Sequence, residues 1–207
     1  MATMEGGYLL SHGPDEIRRL QSWGRVWEPE AETMLDHIGV QPGWRCLVHV
    51  RFLFSPLGRD EALMQELLRL LRPGGVLAAQ EADECSYICY PPQDAWERLK
   101  ALTAAAFARG GGDASAGRRM YGLLRRAGLQ DVGARAVALA LPAGHPYRRW
   151  PLESTIATRP RTREWGLMSD PEWEQLVAEC ERIANDPEIF LISFMVIQTW
   201  GRKPARE

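Results

Sequence analysis

Five side chains of this 207-residue chain have types suited to proton or charge chemistry and fall where two strands end. His49 and Arg51 lie within or near the end of the first strand, and Glu81, Asp83 and Glu84 follow the second. Open α/β sheets bind ligands at the C-terminal ends of their strands. An imidazole or carboxylate there can act as general base toward a group that must lose a proton early. On that basis His49, Glu81 and Asp83 are the catalytic candidates, and Glu81, Asp83 and Glu84 the candidates for contact with a substrate. Each also has a plainer reading: a packed or edge-exposed histidine, and carboxylates at a solvated strand end. No metal site is read, because Cys85 and Cys89 are too far apart for CxxC spacing.

The elements that must position these residues run from Trp44 to Asp83. From Trp44 to Phe54 the chain alternates, with Trp44, Cys46, Val48, Val50, Phe52 and Phe54 on one wholly apolar face. Leu63, Leu67, Leu70 and Leu71 then recur at helical spacing, and Pro73-Gly74-Gly75 turns the chain into a strand over Val76 to Glu81. This is a βαβ unit, which requires a parallel sheet and predicts an α/β fold.

The remaining chain supplies the flanking layers. Pro14 and Pro29 each open an N-terminal helix, and Asp94 with Glu97 predicts a capping box for the next. Gly110-Gly111-Gly112 follows that helix instead of opening one, so it reads as a flexible hinge and not as a phosphate cradle. A helix over Arg118 to Arg126 leads to a strand over Val132 to Leu141. The segment 142–168 is arginine-rich, with Glu153 and Glu164 as its acidic residues, and reads as a lid with a solvated face. Ser169 with Glu172 caps the last helix, and Phe190 to Trp200 reads as one strand buried on both faces, in the middle of the sheet. Only the first few residues and Lys203 to Glu207 read as disordered.

Composition narrows the partners. A hydrophobic share of 45% suits one core and a single domain. A net charge of -2 gives no long-range attraction for nucleic acid or an anionic membrane. With no spanning segment and no signal-like start, the expected location is cytoplasmic and the four cysteines are expected to be reduced. Eight tryptophans and five tyrosines serve packing or line a pocket for an apolar ligand.

The string LLRPGGVLAAQEADE, preceded by VHVRFLFSPL, resembles the fourth strand, following helix and fifth strand of class I S-adenosylmethionine-dependent methyltransferases. YLLSHGPDEIRRLQSWGRVWEPEAETMLDHIGVQPGWRCL is similar to the N-terminal helices of that family's small-molecule branch. GRRMYGLLRRAGLQDVGARAV resembles the helix before its sixth strand, and FLISFMVIQTWGRK its antiparallel last strand. The resemblance covers nearly the whole chain. It implies a reduced Rossmann-like sheet of about four strands in one domain: N-terminal helices over 1–43, the core over 44–141, the lid over 142–168, and the last helix and strand over 169–200. S-adenosylmethionine is the implied cofactor and a small molecule the implied substrate, with Tyr8 and Arg51 on the cofactor side.

One departure from the family is large. Its first strand runs into a GxGxG loop, and its second ends in an acid that holds the ribose. Here Trp44-Arg45-Cys46-Leu47 passes straight into Val48-His49-Val50-Arg51, and neither feature occurs in the sequence. At about 30 residues per βαβ unit, some two units are missing relative to the family, with the join at Leu47-Val48. Two readings follow: a methyltransferase with impaired or no activity as this chain stands, or a non-catalytic binding or partner subunit. The fused strand becomes a sheet edge, so self-association through residues 46–52 is expected.

Overall fold

The computed structural model describes residues 14–44, 47–58 and 60–205. Tyr8, Arg45, Cys46 and the join's N-terminal flank lie outside them. The class is α/β. Helix α1 (Pro14–Ile38) leads to β1 (Leu47–Arg51), the single turn α2 (Phe54–Leu57), α3 (Asp60–Leu70) and β2 (Val76–Asp83). A short strand β3 (Ile88–Tyr90), helices α4 (Asp94–Arg109) and α5 (Gly117–Arg126), and strands β4 (Gln130–Val137) and β5 (Ala140–Leu141) follow. The chain then forms α6 (Trp150–Ala157), α7 (Arg159–Glu164), α8 (Asp170–Asn185), β6 (Phe190–Ile192) and β7 (Met195–Arg202).

The main sheet has the order β1-β2-β7-β4, with β1 parallel to β2 and β7 antiparallel to both its neighbours. The last strand is therefore central, and β1 forms an edge. A second sheet, β3-β6-β5, is antiparallel. One side of the main sheet carries α3 and α5, where Leu67, Leu71, Met120 and Leu124 pack on Leu77 and Ala79. Each such fully buried side chain contributes roughly 2 kcal/mol before the cost of ordering it. The other side is covered by α1 and an aromatic cluster built with α4, α6 and α8.

Several local expectations change. Pro29 does not begin a second helix but lies inside α1. Trp23, Trp27, Ala31 and Met34 are all buried, so one stripe of contacts runs across the proline and outweighs its missing N–H. Asp94 makes no capping box; Gln93 is the N-cap, without a side-chain bond. The box at Ser169 and Glu172 forms as expected.

The strands predicted over Val132 to Leu141 and Phe190 to Trp200 each divide between the two sheets. They bend at the same place: the Ser193 amide donates to the Leu139 carbonyl (2.9 Å), and the Leu139 amide donates to Ser193 Oγ (2.9 Å). Phe194 turns inward there and is fully buried.

Two stretches read as loose are tightly held. Gly110-Gly111-Gly112 presses against the α2 turn: a Cβ on Gly112 would meet the Ser55 carbonyl oxygen at 2.4 Å, and the Asp113 amide donates to that same oxygen. The glycines permit a close approach of two backbones. Lys203, expected in a disordered tail, donates through Nζ to the carbonyls of Leu68 (2.7 Å) and Leu71 (2.9 Å). It thereby satisfies orphan carbonyls at the end of α3 with a cation, the favourable sign at that pole. Its backbone also pairs with Gly74 and Gly75, locking the Pro-Gly-Gly turn to the end of β7.

Candidate functional site

The alternation predicted for the first strand fails at Phe52, and the failure shapes the site. Phe52 has φ +53, a left-handed conformation costly for a bulky side chain. It leaves the face of Val48 and Val50 and joins the aromatic cluster. The following amides all converge on Glu81: Leu53 N–H and Phe54 N–H donate to Oε1 (2.6 and 2.9 Å), and Ser55 N–H to Oε2 (3.2 Å). Successive N–H groups after a left-handed residue form an anion nest, and here the anion is internal. Glu81 is fully buried. It is a positioning residue that fixes the turn leaving β1, not a solvated strand end.

Asp83 is also fully buried and accepts from Arg118 Nε on α5 (2.8 Å). His49 and Arg51 point to the opposite side of the sheet. His49 Nε2 and Arg51 Nε both meet Gln80 Oε1 at 3.0 Å, and Arg51 Nη1 reaches the Gly24 carbonyl of α1 (3.3 Å). The polar row continues across the sheet, where Arg135 bonds both Gln198 and Glu30. These residues tie α1 to the sheet. The five candidates therefore have four different surroundings, and His49 and Arg51 lie across the sheet from Glu81 and Asp83 because alternate residues of a strand face opposite sides.

Glu84 lines a cavity. It opens the one-turn 3-10 segment after β2 (Glu84–Ser86), and its amide donates to the Ala114 carbonyl (2.8 Å). The cavity beside it holds about 30 Å³ and lies at the C-terminal ends of β1 and β2, where a ligand crevice is expected. Its apolar walls include Trp23, Phe52, Phe107 and Trp150, and Ser55 and Ser154 also line it. Both hydroxyls are buried, and among the described residues neither has a hydrogen-bond partner. Glu84 makes no side-chain hydrogen bond among those residues. The two tryptophans are held by a packed aromatic cluster, in which Phe194 lies 5.1 Å from Trp150 and 5.2 Å from Tyr87 between ring centroids. Trp27 Nε1 donates to the Tyr147 hydroxyl (2.7 Å).

Sequence reasoning missed Ser55, Ser154, Trp23 and Trp150. Trp150 and Ser154 lie in the segment read as a lid, whose Tyr147, Trp150 and Leu152 are in fact core residues. The usable signal was Trp150-Pro151-Leu152, an apolar triplet inside an arginine-rich stretch.

Burial pushes Glu81 and Glu84 up to about 7 from an ordinary 4.5. For Glu81 three backbone N–H groups pull the other way; for Glu84 nearby Arg19 pulls down and Glu81 pushes up. The folded chain thus holds protons that the unfolded chain has released between about pH 4.5 and 7. Stability must fall as pH rises through that window, by no more than about 3 kcal/mol for each group. The urea midpoint is expected to be higher near pH 5 than near pH 8, and Glu84→Gln should remove its share of the slope. A midpoint that climbs over this interval would contradict the assignment.

The cavity beside Glu84 is about a tenth of the roughly 300 Å³ of a small-molecule site, and the amides of the turn after β1 are taken by Glu81.

No protein-family model and no curated protein matches the sequence. Among solved structures, the chain is similar to Haemonchus contortus phosphoethanolamine N-methyltransferase 2 in complex with phosphomonomethylethanolamine and S-adenosylhomocysteine. The identity is 12% and the TM-score 0.35, over 77% of this chain and 33% of that one. The selenomethionine form of the same enzyme, in complex with S-adenosyl-L-methionine, gives 12% and 0.34 over 77% and 33%. A protein of Bacillus halodurans C-125 described as a methyltransferase gives 13% and 0.40, over 80% of this chain and 68% of that one. The chain spans about a third of the length of the Haemonchus enzyme.

Proposed function

We propose that this chain is by descent a class I S-adenosylmethionine-dependent methyltransferase domain acting on a small molecule, and that it retains the acceptor side of the site. A cytoplasmic location belongs to the same reading. Its main support is the cavity at the C-terminal ends of β1 and β2, beside a sheet whose last strand runs antiparallel in the middle. The LRPGG turn joined to that strand by Lys203 agrees with it. Transfer activity is not expected from these residues alone, because the nest after β1 is filled by Glu81 and the cavity beside Glu84 is about a tenth of the roughly 300 Å³ of a small-molecule site. The same observation favours the second reading, a ligand-binding or partner subunit without its own methyl transfer.

Calorimetric titration with S-adenosylmethionine and S-adenosylhomocysteine separates the two. Neither is expected to give measurable heat. Saturable binding in the micromolar range, about 8 kcal/mol of affinity, would overturn the view that the cofactor side is not built and would restore the chain as a self-sufficient enzyme.

A further inference from the structure

We propose that two copies of this chain associate face to face through the outer side of the β3-β6-β5 sheet. Alternation along its strands sorts the residues. Cys89, Leu191 and Leu141 are buried in the aromatic cluster, so Ile88, Tyr90, Phe190, Ile192 and Ala140 point the other way. Phe194 and Val196 belong to the same cluster, which leaves Met195 between them on the outward side. None of these six outward side chains carries a charge.

The uncovered area is what a protein partner needs. Ile88 is 51% exposed, Tyr90 68%, Phe190 43% and Met195 36%. On side chains of roughly 200 Å² each, these fractions add to about 400 Å² of apolar surface. Patches of roughly 300–600 Å² are the largest that monomers ordinarily show, and they are often functional. A standard interface buries about 800 Å² of each partner, of which a little over half, about 450 Å², is apolar. The patch supplies nearly all of that share.

The strand register makes the face complementary to itself. Tyr90 lies opposite Phe190, and Ile88 opposite Ile192, so an aromatic row and an aliphatic row run side by side about 7 Å apart. A two-fold axis parallel to the rows and midway between them sets the aromatic row of each copy on the aliphatic row of the other, at the roughly 10 Å spacing of packed sheets. Phe190 then meets Ile192 of the second copy, and Tyr90 meets its Ile88. An uncharged face gives an oppositely charged partner nothing to read, whereas these rows fit their own copy.

Sedimentation velocity of the full chain, from about 1 to about 200 μM, tests the proposal. The parent is expected to pass from 23.4 kDa toward twice that mass, with a midpoint in the micromolar range. Tyr90→Glu and Phe190→Glu should each weaken association at least about tenfold. Their urea midpoints should stay near the parent's, because both side chains are already exposed. Leu70→Glu, at the exposed end of α3, should leave association unchanged. A chain that stays monomeric throughout, equal weakening by Leu70→Glu, or a dimer that both patch variants leave intact overturns the proposal. The last result would return the contact to the β1 edge. Tyr90 is the most exposed of the four, so Tyr90→Glu decides the matter if Phe190→Glu fails to fold.

Discussion

Glu81→Ala is expected to lower the free energy of unfolding by about 3–5 kcal/mol. The carboxylate receives three consecutive backbone N–H groups, from Leu53, Phe54 and Ser55. Removing it leaves those donors facing an apolar void, at about 1–3 kcal/mol for each that stays buried. Leu53 is half-buried and can recover a water, whereas Phe54 and Ser55 are buried and cannot. The substitution also releases Phe52, whose left-handed backbone is held by the contacts on either side of it. Glu81→Gln keeps one acceptor oxygen and should cost about half as much. Urea denaturation with an unchanged m-value reads the difference directly. A loss below about 1 kcal/mol for the alanine variant would show that the nest does not depend on the carboxylate. Glu81 would then return to the list of residues free to act on a ligand.

Arg148→Met should be comparably damaging, at about 3–5 kcal/mol. Arg148 is 3% exposed, and its guanidinium is spent on backbone carbonyls. Nε donates to Ala184 (2.7 Å) and Nη1 to Leu141 (2.7 Å), while Nη2 reaches Asp186 (2.9 Å), Ile189 (3.0 Å) and Ile183 (3.4 Å). These oxygens come from the end of α8, the connection after it and the end of β5, so one side chain closes three segments together. A positive group at the C-terminal pole of α8 is also favoured by the helix dipole. Methionine keeps the apolar stem and strands the carbonyls. Lysine keeps the charge but not the planar fork, so Arg148→Lys should recover only part of the loss. If thermal or urea denaturation places both variants within about 0.5 kcal/mol of the parent, the carbonyls must find other donors, and the arginine is not the link described here.

Arg148 also marks where sequence reading stops. An arginine among Arg149, Arg159, Arg161 and Arg163 looks like one more solvated charge. Nothing local says that it alone turns inward, because its partners lie at residues 141 and 183–189. The same holds for Glu81, Asp83 and Glu84. Their spacing places them at a strand end, yet burial by α2, α5 and the aromatic cluster gives each a different neighbourhood. One became an anchor, one an ion pair, and one the edge of a cavity.

The elements themselves were far more legible. Leucines at helical spacing, the Pro-Gly-Gly turn, the Ser169–Glu172 box and the apolar final strand are signals within a few residues, because helix, cap and turn energies depend on near neighbours. They were enough to predict α/β architecture, the βαβ unit and a central last strand. Errors arose where distant contacts outweighed local preference: Pro29 inside a helix that spans the aromatic cluster, Phe52 turned out of its strand, and two strands bent together at Leu139 and Ser193.

The sequence by itself determined the helices α3, α4, α5 and α8, the parallel pairing of β1 with β2, and the departure from the GxGxG pattern. Tertiary structure decided what the polar residues do, since burial and partner choice are set by segments far apart in the chain. It assigned Glu81 to the backbone, Asp83 to Arg118, and His49 with Arg51 to Gln80, and it left Glu84 at the cavity wall. A carboxylate's chemistry follows from how much water it has lost and which donors remain within reach, and neither quantity is written in its neighbours along the chain.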